Sequence, residues 1–439
     1  MAAIPDELST EAGPPLAIPL RHFLAAIAFP LLGVPVAIIA GPGAILAHVH
    51  LLLAGWVCLT IMGAMTQFVP VWSGVRLRWP RLARLQLPVA AAGVLAIAAA
   101  FAVGRPTLVP VGGLALLAGL WLFVASIGRT LLTARPWDVT EAHFAVALAC
   151  FAVVPLLGLA LGLDYTWPIL GTASVARSHV LAAHATLAVF GAILTTVLGA
   201  LYQLGPMFTG TDLDRFDRGL QRGETAAYPA GVAALALGRL LGSVHLSRLG
   251  AALILVGLTA AAVVLARRLA ASTVAWSPMH RRYAVAIAAL VGWVAWTAPV
   301  WLADPLGPTL GPPAGVHLLA LGAVGFVVLG TLYHVVPFLV WVHRYSDRLG
   351  LEPVPLVDDL YDHRVAAVDL LALLTGTGAL VVDAALGLPP PVGVVGGLSV
   401  LVGFGLFAAN VGLVVTRHAP GSIAALIAGH SLDGGEVVR

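Results

Sequence analysis

Long apolar runs, separated by short polar or Pro/Gly-rich turns, follow one another along the whole chain. Twelve of them reach roughly 20 residues, the length that an α-helix needs to cross about 30 Å of hydrocarbon. They cover residues 18–40, 45–70, 86–103, 108–128, 141–161, 178–206, 228–244, 249–266, 283–302, 314–341, 365–386 and 394–416. This pattern predicts an all-α integral membrane protein with twelve transmembrane helices, which we number as spans 1 to 12.

The composition of the 439 residues agrees with this prediction, since 60% are apolar and only 10% are charged. Soluble domains usually carry about 25% charged residues. Soluble enzymes and nucleic-acid-binding proteins are therefore excluded, and the lipid bilayer is the expected environment. The two cysteines, Cys58 and Cys150, lie within apolar runs and are predicted to be core residues rather than a disulfide.

The basic residues are distributed unevenly between the two sides of the predicted membrane. All 23 are arginine, and if both termini are cytoplasmic, 19 of them fall in inner loops or at inner helix ends. One more, Arg239, lies inside span 7, and the three in outer loops are Arg105, Arg177 and Arg248. This excess follows the positive-inside rule, so we expect both termini in the cytoplasm and the protein in the plasma or inner membrane.

Spans 2, 6 and 10 share a pattern when they are aligned on His50, Thr186 and His317. Glycine recurs five and thirteen residues after each of these positions, and proline recurs after twenty. The pattern predicts three four-helix repeats in a pseudo-threefold arrangement within one membrane domain. The domain covers 18–416, with repeats at about 18–133, 141–267 and 283–416, and the cytoplasmic tails are 1–17 and 417–439. The glycines either pack helices closely or present a smooth face to a flat cofactor.

Four histidines lie within the first turns of these three spans, namely His48, His50, His184 and His317. Imidazole is a common ligand of haem iron and also suits copper, although a hydrogen-bonded histidine between helices is the simpler alternative. His48 and His50 are two residues apart and must point to opposite sides of one helix. We therefore predict that one cofactor uses His50 with His317. A second would use His48 with His184, or with His179 as the fallback.

The twelve spans and the histidines near the outer ends of spans 2, 6 and 10 resemble the catalytic subunit of haem–copper oxidases and nitric oxide reductases. The phrase HLLALGAVG, which begins at His317, is also similar to NnrS-type membrane proteins. The resemblance implies an oxidoreductase with haem and copper, a small gas such as nitric oxide or oxygen as substrate, and cytochrome c, a cupredoxin or quinol as electron donor. It places the span 2 ligand at His48 or His50. It places the other ligands at His184 or His179 and at His317.

The sequence departs from that family at three positions. Span 10 has one outer histidine instead of H-x-H, span 7 has only His245 instead of a His-His pair, and Ala188 stands where a tyrosine would follow His184. A complete oxygen-reducing copper centre is therefore not expected. Covalent haem attachment is not expected either, because C-x-x-C-H is absent, so the predicted cofactor is b-type haem. The candidate metal ligands are His48, His50, His184, His317, His179 and His245.

Other polar residues have two interpretations each. Arg239 and Arg177 are candidates to bind haem propionates, or alternatively to snorkel or form interhelical hydrogen bonds. An inner layer is predicted to form interhelical hydrogen bonds, with a proton route as the alternative; it contains Gln67, Gln203, His334, Tyr202 and Tyr333. The stretches 207–227 and 343–364 mix Asp and Arg and are predicted to be solvated loops.

Two other functions stay open from the sequence. A secondary transporter also commonly has twelve spans with cytoplasmic termini, although its repeats are usually twofold and its site lies near the midplane. A structural subunit that has lost its cofactor would have the same spans. The threefold pattern and the histidines at one level favour a haem-binding protein.

Overall fold

Helices account for almost all of the computed structural model, which describes residues 13–40, 44–171 and 176–421. Twelve long helices correspond one to one to the predicted spans. They are α1 (Ala17–Ala40), α2 (Ile45–Trp72), α3 (Pro80–Ala102), α4 (Val109–Thr133), α5 (Val139–Leu163), α6 (Arg177–Thr209), α7 (Arg215–Leu240), α8 (Val244–Ala270), α9 (Pro278–Ala303), α10 (Pro313–Arg348), α11 (His363–Leu386) and α12 (Pro390–His418). Most of the predicted tails, 1–17 and 417–439, lies outside the described residues.

Eleven of these helices are long and apolar enough to cross a membrane. The exception is α7, whose first half carries charged side chains such as Arg218 and Arg222. Large apolar side chains project outward from the helices, for example Val111 and Leu371, which are 68% and 62% exposed. Such surfaces are stable only against lipid, so the chain is a multi-pass membrane protein in contact with the bilayer.

Helix α7 begins well before the predicted span, inside the stretch 207–227 that was expected to be a loop. The side chain of Asp214 accepts a hydrogen bond from the backbone N–H of Asp217 at 2.9 Å and so caps the helix N-terminus. The helix ends before Gly242, whose φ of +67° is favourable for glycine. The loop prediction was wrong because charge alone does not distinguish a solvated loop from a capped helix. As a result Glu224 lies within the bundle, where it is fully buried.

The repeated glycines of α2 and α6 pack against α1 and α5, the first helix of each group of four. A Cβ at Gly63 would lie 2.6 Å from Cβ of His22, and one at Gly199 would lie 2.6 Å from Cβ of His143. A Cβ at Gly191 would lie 2.6 Å from the sulfur of Cys150. These distances allow no side chain at the glycines. Close helix packing is therefore the role of these positions, rather than a smooth face for a cofactor.

Three consecutive helix pairs, α3 with α4, α7 with α8, and α11 with α12, also touch backbone to backbone through glycine. A Cβ at Gly112 would lie 2.7 Å from the amide nitrogen of Ile97, and one at Gly231 would lie 2.8 Å from that of Ile254. A Cβ at Gly376 would lie 2.7 Å from the carbonyl oxygen of Gly396 on α12. Small residues allow such close approach, which is a main source of helix association in membranes.

Replacing Gly376 by alanine is expected to destabilise the protein by about 1 to 3 kcal/mol, because the new methyl group meets backbone atoms that cannot move aside. Gly378 lies two residues further along α11 with no atom within 4 Å of an added Cβ. Gly378→Ala is therefore the matched control, expected to be neutral or slightly stabilising. Thermal unfolding of the purified variants in detergent measures both effects, and equal melting temperatures would contradict the packing argument.

Candidate functional site

Helices α2, α6 and α10 each widen into an eight-residue π-helical segment near their first turns. The segments are Leu51–Cys58, Leu187–Leu194 and Leu318–Gly325. Each begins directly after the position on which the three spans were aligned, so the three deviations share one register. π-Helical turns are rare and occur frequently at functional sites. The candidate histidines lie at or just before these segments.

His48 and His50 lie in the first turns of α2 and have different neighbours. Nδ1 of His48 lies 2.8 Å from the carbonyl oxygen of Gly33 on α1. Nδ1 of His50 lies 2.7 Å from the carbonyl oxygen of Leu46, and its ring lies 5.8 Å from that of Phe101 on α3. The two imidazoles therefore leave α2 on different sides, as their spacing predicts.

His184 and His317 lie at corresponding depths on α6 and α10. Nδ1 of His184 lies 3.0 Å from the carbonyl oxygen of Val154 on α5, and Gly158 provides the space, since a Cβ there would lie 3.0 Å from Cε1 of the imidazole. His317 makes no hydrogen bond to the described part of the chain, and it lies directly before the π-helical segment of α10. All four candidate imidazoles are half-buried.

Two pairs of these imidazoles are electrostatic neighbours, His50 with His184 and His48 with His317, and we call them the histidine pairs. These neighbours differ from the partners expected from the sequence, where His50 joins His317 and His48 joins His184. In each histidine pair, one residue is at the aligned position of the repeated pattern and the other lies two residues before that position. Both pairs therefore combine different positions of the pattern.

The hydrogen bonds define which imidazole nitrogen is available for a ligand. A carbonyl oxygen can only accept, so Nδ1 carries the hydrogen in His48, His50 and His184. Nε2 of each then holds an unshared electron pair and makes no hydrogen bond within the described residues. Histidine ligands of metals are typically oriented in this way, with the other nitrogen donating to a carbonyl or carboxylate. These three imidazoles are therefore oriented as metal-binding histidines usually are.

A third combination joins Thr186, the aligned position of α6, with Gly315, which lies two residues before the aligned position of α10. Neither residue has an imidazole. The hydroxyl of Thr186 accepts a hydrogen bond from Arg239 at 2.7 Å, and a Cβ at Gly315 would lie 3.4 Å from Cδ1 of Trp293. Trp293 and Trp301 are fully buried, with ring centroids 5.4 Å apart. Bulky side chains occupy the space beside Thr186 and Gly315, so only the other two combinations contain imidazoles.

Arg239 is fully buried and connects α7 to the connection between α9 and α10. Its Nε donates to the carbonyl oxygen of Pro305 at 3.0 Å and its Nη1 to that of Thr309 at 2.8 Å. Its guanidinium lies 5.1 Å from the ring centroid of Trp301. These contacts are interhelical hydrogen bonds, one of the two interpretations that the sequence allowed. Pairing of Arg239 with a haem propionate stays a prediction.

Arg177 begins α6 and also has protein partners. Its Nη1 donates to the carbonyl oxygen of Leu161 at 2.9 Å and to the carboxylate of Asp164 at 2.8 Å. A hydrogen bond from the backbone N–H of Leu170, together with the guanidinium of Arg177, lowers the pKa of Asp164 below its ordinary value. Arg177 thus fastens the start of α6 to the end of α5, and its pairing with a propionate likewise stays a prediction.

The two remaining candidate ligands lie beside the turn between α7 and α8. A Cβ at Gly242 would lie 2.9 Å from Cε1 of His179, and His245 is exposed in the first turn of α8. Within the described ranges, no group of three or more His, Cys, Asp or Glu side chains is arranged to hold a metal ion. Each histidine pair contains two imidazoles, which is the number of axial ligands that haem iron would need and one fewer than a copper centre with three protein ligands would need.

Three polar clusters lie towards the opposite ends of α2, α6 and α10. Each combines one residue from the first, second and third helix of a group of four: His22–Thr66–Gln86, His143–Tyr202–Glu224 and Arg282–Tyr333–Asp369. In each cluster the first residue also donates to the carbonyl oxygen four residues before it, over 2.7 to 3.0 Å. All nine residues are buried. Thr66, Tyr202 and Tyr333 occupy one position of the repeated pattern, sixteen residues after His50, Thr186 and His317. Only the two tyrosines were among the residues predicted for the inner layer, and the six other partners lie on helices that carry no repeated motif.

The rest of the predicted inner layer does not act as one unit. Gln203 is exposed, and His334 packs against aromatic rings, with centroids 4.5 Å from Phe208 and 5.9 Å from Phe338. Interhelical hydrogen bonding is confirmed for Tyr333, which donates to Asp369 on α11.

In a comparison with known proteins, the chain matches no family model and no curated sequence.

Proposed function

We propose that the protein is a haem-binding membrane protein of redox or small-gas function, in which the two histidine pairs each hold one b-type haem. The observation that carries this proposal is the state of the imidazoles: Nδ1 of His48, His50 and His184 is bound to a backbone carbonyl, and Nε2 is free. A histidine with a purely structural role usually uses both nitrogens when it is enclosed. Half-buried imidazoles in pairs, at one level of the bundle, fit axial ligation.

A pseudo-threefold arrangement of three four-helix units is the second part of the proposal. It is supported by the shared register of the π-helical segments and by the three polar clusters at equivalent places. Under this arrangement the three equivalent combinations are His48 with His317, His50 with His184, and Thr186 with Gly315. Two units would thus keep a cofactor place that the third has filled with tryptophan. Both termini would lie in the cytoplasm of a plasma or inner membrane.

Bound haem would supply reversible one-electron chemistry of iron and, where one axial ligand dissociates, a place for nitric oxide or oxygen. The chain contributes the ligands and their orientation. The carbonyls of Gly33, Leu46 and Val154 fix the imidazole rings and raise their basicity. Electrons would come from a cytochrome, a cupredoxin or a quinol, and any copper would need ligands beyond the two pairs.

A spectrum of the purified protein, expressed with ample haem, tests this function directly. We expect a Soret band that survives His334→Ala and is strongly reduced by His317→Ala, because only His317 belongs to a pair. The two variants lie on the same helix and remove the same side chain, so His334→Ala is the matched control. Complete absence of haem in the wild type would overturn the proposal and favour a transporter or a structural subunit.

A further inference from the structure

One of the three polar clusters, His143–Tyr202–Glu224, contains a contact that requires a proton. Nδ1 of His143 lies 2.7 Å from the carbonyl oxygen of Val139, so this nitrogen carries a hydrogen. Nε2 of the same ring lies 3.2 Å from both carboxylate oxygens of Glu224. An unshared pair on Nε2 would repel a carboxylate. The contact is attractive only when one proton lies between the two groups, on the carboxyl group or on the ring.

The hydrogen bonding of Glu224 places this proton on the carboxyl group. Its Oε2 makes no hydrogen bond of ordinary geometry to the described residues, and neither does the hydroxyl of Tyr202, which lies beside the carboxyl group. An ionised carboxylate with one oxygen unpaired is costly in a buried site, whereas a neutral carboxyl donating to Nε2 of His143 is not. The unused hydroxyl of Tyr202 is available to donate to the carboxylate whenever the proton leaves.

The other two clusters cannot exchange a proton in this way. In the first, Nε2 of His22 accepts from the amide of Gln86 at 3.1 Å, so the contact is neutral and complete. In the third, Arg282 forms an ion pair with Asp369, and a guanidinium does not lose its proton in a protein. Only the second cluster combines an acid with a base of comparable strength.

We propose that His143, Tyr202 and Glu224 form a buried proton-binding site that takes up and releases one proton through the polar end of α7. The proton moves between the carboxyl group of Glu224 and water, and Tyr202 stabilises the carboxylate that remains. Asp217 lies on the same face of α7, seven residues before Glu224 and so about 10 Å away. This site is independent of haem and does not rest on the proposed function.

The charged and titratable residues around Glu224 lie on four helices. Asp138 and Glu141 lie at the start of α5, with Cys150 further along it; Tyr202 lies on α6; Asp217 and Tyr228 lie on α7; and Arg267 and Arg268 lie at the end of α8. Both arginines bind Asp217 at 2.8 Å and so neutralise it. Among the described residues of this region, Glu224 is therefore the buried carboxyl group without an arginine partner.

Labelling with dicyclohexylcarbodiimide, which reacts with protonated carboxyl groups in apolar surroundings, tests the site in the wild-type protein. Between about pH 5 and 8, we expect adducts on Glu224 that increase as the pH falls. Labelling of Asp217, which is also buried on α7 but is paired with Arg267 and Arg268, should be at least about tenfold lower. Peptide mass spectrometry measures both. No adduct on Glu224, or equal labelling of Asp217, would overturn the proposal.

Infrared difference spectroscopy between low and high pH provides the second measurement. A carboxyl C=O band that shifts in D₂O is expected in the wild type, absent in Glu224→Gln and retained in Asp358→Asn. A band that persists in Glu224→Gln would contradict the assignment. Since the labelling needs no variant, a folding defect of Glu224→Gln would leave the proposal testable.

Discussion

Alanine variants of the four paired histidines are expected to fall into two groups of two. His48→Ala and His317→Ala should each abolish one haem centre, and His50→Ala and His184→Ala should each abolish the other. Under the proposed function each pair would form one ligand set, so loss of either imidazole would remove one of the two ligands of its haem iron. Each single variant should therefore lose half of the bound haem, and each double variant within a pair should lose no more than that.

Haem content and low-temperature electron paramagnetic resonance of the purified variants measure this grouping. His179→Ala is the control, because this ring packs against Gly242 beside the α7–α8 turn. Grouping of His50 with His317 would contradict the pairs seen in the structure and restore the pairing expected from the sequence. Identical spectra for His48→Ala and His50→Ala would mean that a single cofactor is bound.

Asp369→Ala is expected to cost about 3 to 5 kcal/mol of stability, because it leaves the charge of Arg282 buried without a counter-ion. Both side chains are fully buried, and Arg282 is held further by the carbonyl oxygens of Pro278 at 3.0 Å and Ala366 at 2.9 Å. Tyr333 would lose its acceptor in the same variant. We expect low yield and a strongly reduced melting temperature in detergent.

The double variant Arg282→Met/Asp369→Leu separates the charge from the packing. It removes both ions at similar volume and should recover most of the lost stability. Asp358→Ala is the control for a nearby carboxylate, since Asp358 accepts only from Tyr361 at 2.9 Å. If the double variant were as unstable as Asp369→Ala, the buried ion pair would not be the cause.

The number and order of the helices could be predicted from the sequence because the length of an apolar run is a local property. The start of α7 could not, since Arg215, Arg222 and Glu224 resemble a solvated loop when they are counted only as charges. Two signals were present: Asp214 and Asp217 have the spacing of an N-terminal cap, and Asp217, Glu224 and Tyr228 recur on one helical face.

The histidines were found from the sequence, but which of them are electrostatic neighbours was not. A repeated motif identifies equivalent positions, whereas neighbours can occupy positions that differ, as His48 and His317 do. The partners of the polar clusters were missed for a related reason. His143 and Asp369 lie on helices without a recognisable repeat, so only the folded arrangement brings them to Tyr202 and Tyr333.

Because of where its two native thiols lie, the wild-type protein can serve as the unlabelled background in cysteine-labelling studies. Cys150 is buried behind Gly191, and Cys58 is half-buried in the π-helical segment of α2, so neither lies in a connecting loop. A maleimide that cannot cross the bilayer has no natural target in the loops that the structure describes. Cysteines introduced one at a time into those loops can therefore report which side of the membrane each loop occupies, without first removing a native residue.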